Sequence, residues 1–342
     1  MDQYGKTIRF GACLIAGALV LRLLGSGAAT ALVGALTSPK AAAAILYLET
    51  GRVVRPGPTT PTTEPTEPTL ETTVPEDTTT IPPTSLPGQA LAVFSSADAA
   101  LVEVNNVCGY PTDVAGSLEK NLTWDLTAQA PTVLIVHSHG TESYLPTGQY
   151  TESSAYRTQD TGYNMIAVGD RLVQVLEAGG VHAVHDRQLH DSPSYSDSYV
   201  NSRQSVRSYL DQYPSICLVL DIHRDAVEDS QGDQMAFTTQ VNGTDTARLM
   251  MVVGSDASGL THPHWPENMS LAVKLHAQLE KLAPGSCRPI SFRSQRFNQD
   301  LSPGALIVEV GAAGNTLQEA MAAVELLGQA ILDLAYGATG SG

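Results

Sequence analysis

The sequence predicts an α/β fold: a twisted, mostly parallel sheet with helices on both faces. Three observations predict it. From Pro131 onward, short runs of apolar β-formers alternate with amphipathic helical stretches, the pattern of a sheet covered on both faces. The runs at residues 133–136, 216–220 and 306–308 are apolar throughout, as strands buried on both faces are. Each then ends abruptly in ionisable residues, and open α/β sheets bind ligands just outside the carboxyl ends of their strands.

In order along the chain, residues 1–9 carry Lys6 and Arg9 against Asp2. Residues 10–36 are apolar or small, broken by Arg22. About 20 apolar residues cross a bilayer as a helix, so residues 10–36 read as an uncleaved transmembrane signal anchor. Arg22 costs roughly 2.5–3.5 kcal/mol at the midplane. The rival reading is a cleaved signal peptide, with Ala41–Ala44 supplying small residues after it. Lys6 and Arg9 predict that residues 1–9 form a cytoplasmic tail and that the remainder is exported. Residues 37–88 form a Pro/Thr-rich extracytoplasmic linker. Within it, residues 56–88 are almost all Pro, Thr, Glu and Ser, too poor in apolar side chains to offset the entropy of folding. Its prolines favour an extended spacer of about 3.1 Å per residue.

The folded domain is expected over residues 89–342. Met165, Val168, Leu172, Val175 and Leu176 recur at helical spacing, and Gly179-Gly180 ends that helix. Residues 181–184 read as a second strand. Tyr199, Val206 and Leu210 mark a second helix that stops at Tyr213-Pro214. Residues 249–253 read as a further strand and 269–282 as an amphipathic helix. Asn315 is expected to cap the last helix, with Leu317, Met321, Val324, Leu327 and Ile331 on one face.

The net charge of −16 argues against nucleic acid, which needs a basic surface to release counterions. Cys13, Cys108, Cys217 and Cys287 include no C-x-x-C pair and fit neither a zinc finger nor a disulfide framework. There is no G-x-S-x-G elbow, H-E-x-x-H, Walker or dinucleotide motif.

The chemistry lies at three strand ends: His137-Ser-His139-Gly-Thr-Glu142-Ser-Tyr144, Asp221-Ile-His223-Arg224-Asp225, and Glu309 between Val308 and Val310. In a parallel sheet these ends share one edge. Two histidines and a glutamate make a three-ligand set, which is what a catalytic zinc takes while keeping a fourth position for water. A second carboxylate can take the water's proton and pass it to a leaving amine. Glu309 in an apolar run is costly unless paired or used. Asp221 and Asp225 flank His223 and could orient its ring. The bland readings are a structural histidine at each strand end and an Arg224–Asp225 ion pair. His182, His185 and His190 read as surface residues, and His262-Pro-His264-Trp265 as a loop packing a tryptophan.

These motifs, together with Phe297-Asn-Gln-Asp-Leu301 and Asn315-Thr316, resemble the stage II sporulation protein P family from about residue 90 to the end, plus the N-terminal anchor. The resemblance implies an amidase-like fold and a zinc-dependent peptidoglycan hydrolase. It would be an N-acetylmuramoyl-L-alanine amidase, with endopeptidase cleavage of cross-links also credited to family members. It further implies work with stage II sporulation proteins D and M during forespore engulfment, at the cell membrane with the catalytic domain outside. On the amidase pattern Glu309 matches the catalytic glutamate and His223 a histidine ligand. His139, followed by Gly140, matches the first ligand, with His137 the runner-up. Glu142 or Asp160 supplies the third, and Glu142 belongs to the sporulation motif. Arg224 would steady an anionic intermediate or a stem-peptide carboxylate. The competing functions are a non-catalytic wall-binding scaffold and a zinc carboxypeptidase-like exopeptidase.

Overall fold

A computed structural model describes residues 94–121, 124–146 and 156–337. The expected tail (1–9), anchor (10–36) and linker (37–88) lie outside the described residues. In chain order the elements are β1 (Val104–Asn106), α1 (Val114–Glu119), β2 (Val133–Val136), α2 (Met165–Ala178) and β3 (Ala183–His185). They continue with α3 (Ser198–Gln212), β4 (Leu218–Asp225), β5 (Thr238–Val241), β6 (Thr244–Ala247) and β7 (Leu249–Val253). The last are α4 (Trp265–Leu282), β8 (Ile290–Phe292), β9 (Ala305–Ala312) and α5 (Leu317–Gly337).

Seven strands form one sheet in the order β1-β8-β7-β9-β4-β2-β3. Every neighbouring pair is parallel except β7 with β9, so the sheet is mixed and mostly parallel. The three strands that carry the chemistry, β2, β4 and β9, are adjacent at its centre. Side chains alternate across a strand, and the core divides accordingly. Val133, Ile135, Leu220, Ile222, Val308 and Val310 pack with α2, α4 and α5 on one face. Leu134, Val136, Val219 and Ala305 pack with Val206, Tyr209 and Leu210 of α3 on the other. Helix α5 is long and apolar enough to cross a bilayer, but most of it is buried, as befits a core helix.

Several expectations need correction. Strands β4 and β9 run on to Asp225 and Ala312, so Asp221, His223 and Glu309 lie within strands rather than after them. Strand β9 pairs with β4 and β7 through Glu309, and β4 keeps its β9 partner past Asp221, where its pairing with β2 stops. The last helix is capped by Thr316 rather than Asn315. Thr316 Oγ1 accepts from the Glu319 backbone N–H, and the Glu319 carboxylate accepts from Thr316 N, a capping box. The hairpin β5–β6 turns at Asn242-Gly243, with φ of 51° and 82°, the positive values a two-residue hairpin turn demands. Strands β1 and β8 are three residues each, too short for a periodicity to show. His190 is buried and His185 is half-buried, its ring turned inward. His185 packs against His137 and His190 against Asp186, whereas His182 is half-exposed.

Candidate active site

Strand parity and register decide which side chains meet. Val136 pairs with Asp221, and His223 pairs with Glu309. Partners in register share a face, so Asp221, His223 and Glu309 all lie on the α3 side. Ser138 continues that face from β2, while His137 falls on the other.

His223 is fully buried, and its Nε2 lies 2.7 Å from Asp221 Oδ1. Its Nδ1 makes no hydrogen bond and lies 3.5 Å from Glu142 Oε2. Burial pulls the His223 imidazole down, but the carboxylates of Asp221 and Glu142 outweigh it and hold the ring up at about 10. His139 sits beside it, with ring centroids 5.3 Å apart and nearly perpendicular. Tyr195 stacks on His139 at 4.3 Å, and the Arg157 guanidinium covers the other face of Tyr195 at 4.2 Å. Tyr199 meets His139 edge-on at 5.5 Å.

Glu142 is brought back to this point by a tight loop. Its backbone N–H donates to His139 O, and its carboxylate accepts from Arg224 N at 3.2 Å. Arg224 is buried; its guanidinium donates to the carbonyls of Ser143 and Tyr156 and lies 3.7 Å from Glu142. It does not pair with Asp225, which binds Arg288 instead. Its donors hold the loop that carries Glu142. Tyr144, whose hydroxyl donates to Val310 O, lies among Arg224, Glu142 and Glu309. Burial foremost, and then the two carboxylates against Arg224, push its phenol well above the usual range.

The runner-up residues lie elsewhere. His137 Nδ1 donates to Ile222 O at 2.9 Å, and its Nε2 lies 2.8 Å from His185 Nε2. Asp160 is exposed and accepts from Gly162 N in a local turn. Sequence reading passed over Asp191, Arg157, Tyr195 and Tyr199. Buried Asp191 accepts from Thr141 N and Oγ1, pairs with Arg157 at 2.8 Å and lies 3.9 Å from His139 Nδ1. Only the i, i+4 spacing of Tyr195 and Tyr199 hints at their shared side. His262 is buried, and Trp265 packs against Tyr110 and Phe292, but it does so as the first residue of α4 rather than from the loop.

The donor types suit zinc, which favours imidazole and carboxylate. Two ligand atoms about 2.0–2.1 Å from a tetrahedral zinc sit roughly 3.3 Å apart, close to the 3.5 Å between His223 Nδ1 and Glu142 Oε2. Among the described residues, no three His, Cys, Asp or Glu side chains are gathered into a complete cage. What is present is one pair at ligand spacing, with the His139 ring beside it and Glu309 on the next strand.

Stage II sporulation protein P of Bacillus subtilis (strain 168) is 30% identical over 204 residues, 56% of this chain and 48% of the relative. The chain thus spans about half the length of that curated relative. Two solved structures are similar at low scores. The N-acetylmuramyl-L-alanine amidase Ami1 of Mycobacterium smegmatis has a TM-score of 0.38 and 16% identity, covering 63% of this chain and 99% of that one. The N-acetylmuramoyl-L-alanine amidase AmiC2 of Nostoc punctiforme has a TM-score of 0.35 and 16% identity, covering 61% and 95%. The model of the stage II sporulation protein P family matches residues 72–332, which take in every strand and the site they carry, and the chain belongs to that family.

Proposed function

We propose that the chain is a zinc-dependent peptidoglycan hydrolase that cleaves the amide between the glycan's lactyl group and L-alanine of the stem peptide. The observation that carries this reading is His223 Nδ1 at ligand spacing from Glu142 Oε2, with Glu309 in register on the adjoining strand. His139, Glu142 and His223 would hold the metal. When bound, zinc supplies Lewis acidity, lowering the pKa of a water to roughly 7 and polarising a carbonyl.

The chain's own residues supply the rest. Glu309, buried in β9, takes the proton of the attacking water and returns it to the departing nitrogen. Asp221 fixes the ring of His223, and Asp191 with Tyr195 restrains His139. Arg224 holds the loop that presents Glu142. Family membership supports action on septal wall during sporulation, alongside stage II sporulation proteins D and M. It also supports a membrane-anchored chain with the domain outside the cytoplasm.

Digestion of purified peptidoglycan, followed by mass spectrometry, tests the reading. Amidase action yields glycan with free lactyl groups and peptides with free L-alanine amino termini. Only cross-link fragments would make the enzyme an endopeptidase, single residues lost from peptide ends a carboxypeptidase, and no release from zinc-loaded protein a scaffold.

A further inference from the structure

The motif Phe297-Asn298-Gln299-Asp300-Leu301 has no place in the mechanism above, yet a buried chain of hydrogen bonds joins it to His223. Phe297 has a φ of 55°, a value a non-glycine residue rarely adopts unless its surroundings hold it. Asp300 next to it receives both guanidinium nitrogens of Arg203 at 2.7 Å, and Gln299 ties Gly254 N to Val252 O. Asn298 is thereby held against α3.

The direction of each hydrogen bond follows from the Asn298 end. Its Nδ2 lies 2.9 Å from Tyr199 O and 3.0 Å from Ser202 Oγ, and its Oδ1 lies 3.4 Å from Arg203 Nη1. A carbonyl on one side and a guanidinium on the other allow only one amide orientation, so Nδ2 donates to both. Ser202 Oγ is 2.7 Å from Ser138 Oγ but 3.4 Å from Tyr199 O, which Asn298 already occupies. The Ser202 proton therefore goes to Ser138. The Ser138 proton is left for Asp221 Oδ2 at 2.5 Å, and Ser138 N donates to Asp221 Oδ1 at 2.7 Å. Both Asp221 oxygens thus act as acceptors, and the proton between Asp221 and His223 sits on Nε2, 2.7 Å from Oδ1. Nδ1 is then the ring atom turned to Glu142.

We infer that Ser202 and Asn298 are positioning residues: their one-way donor chain through Ser138 and Asp221 fixes the proton of His223 on Nε2 and assigns Nδ1 to the metal. The inference rests on the zinc reading above. Its test uses the full-length protein, zinc itself as probe and chelator competition as readout. Ser202→Ala removes the middle link and is expected to weaken zinc binding about tenfold, in the range of losses from partners that orient a ligand. Ser202→Thr keeps the hydroxyl, and Ser202 borders a small cavity with Val206 and Asp221, so it should restore wild-type affinity. Asn298→Ala, at a partly exposed position, gives a smaller loss and serves where Ser202→Ala does not fold. Histidine-selective 15N spectra of the zinc-loaded protein should show His223 coordinated through Nδ1 with a protonated Nε2. Unchanged affinity in both alanine variants, or coordination through Nε2, overturns the inference. If His223→Ala binds zinc as tightly as wild type, the zinc reading itself fails.

Discussion

His137 pairs with His185 against α2, whereas His139 lies against His223 on the α3 side of the sheet. The two residues of the motif are only two positions apart, and nothing in their chemistry separates them. Their surroundings do. The first pair is sealed: Gly169 of α2 has no side chain, and the rings of His137 and His185 fill the space a Cβ would take. Burial, with His185 close by, pulls the His137 imidazole down to about 3, so its ring is neutral. The second pair faces carboxylates, and His223 is held up at about 10. One pair is packed against a helix and the other lies against carboxylates. The difference comes from where β2 ends: the strand stops at Val136, His137 still meets Ile222, and the turn that follows carries His139 round to His223.

The largest effect that would break this comparison comes from exchanging the pairs' roles. His223→Ala is expected to lose bound zinc by elemental analysis and all measurable wall hydrolysis. His137→Ala should keep its zinc and lose stability instead, because the Ile222 carbonyl and His185 are left without their partner, a cost of about 1–3 kcal/mol. Zinc lost from His137→Ala and kept by His223→Ala would invert the assignment. Next in size, Glu309→Gln should bind zinc normally and slow cleavage by roughly 10²–10⁴-fold, the worth of a general base. Full activity in that variant would remove Glu309 from the mechanism.

Much of this was legible in the sequence because apolar runs and their ends are local signals. The strands at β2, β4 and β9 declared themselves, and His223 and Glu309 stood out as ionisable residues just past the apolar runs, though the strands run on through them. What surrounds His137 and His139 depends on how the chain turns after Val136 and on a partner 85 residues away (Ile222 against His137), which no periodicity within a strand records. Asp191 and Tyr195 were hidden for the same reason: they sit in a polar loop whose meaning comes only from folding back onto His139. Strand β1, with two exposed asparagines among its three residues, is an edge strand made by pairing with β8 rather than by propensity.

A third prediction probes the seal itself. In Gly169→Ala the new Cβ would lie 2.6 Å from Nε2 of both His137 and His185. Those rings hold each other in place, so the helix must move, and overpacking of this kind costs about 1–3 kcal/mol. Thermal unfolding should show the loss while zinc affinity stays at the wild-type value. A fall in zinc affinity as large as that of His223→Ala would mean the two pairs are one unit.

The smallest effect is the pH dependence of the metal-free protein, where the two histidines should pull in opposite directions. His137 refuses a proton in the folded state that the unfolded chain accepts below its ordinary value of 6.5. Its contribution to stability is therefore lost as pH falls from about 6.5 toward about 3. His223 keeps a proton that the unfolded chain gives up above 6.5. Its contribution is present at low pH and is lost as pH rises from about 6.5 to about 10. Each slope is at most about 1.4 kcal/mol per pH unit, the limit for one proton. Other groups titrate over the same range, so the informative quantity is the difference between variants. Denaturant melts of zinc-stripped protein should show His137→Gln flattening the acid limb alone and His223→Gln flattening the alkaline limb alone. An acid limb that His137→Gln leaves untouched would mean that its ring is not sealed against protons, and the distinction between a core pair and a site pair would then rest on His223 only.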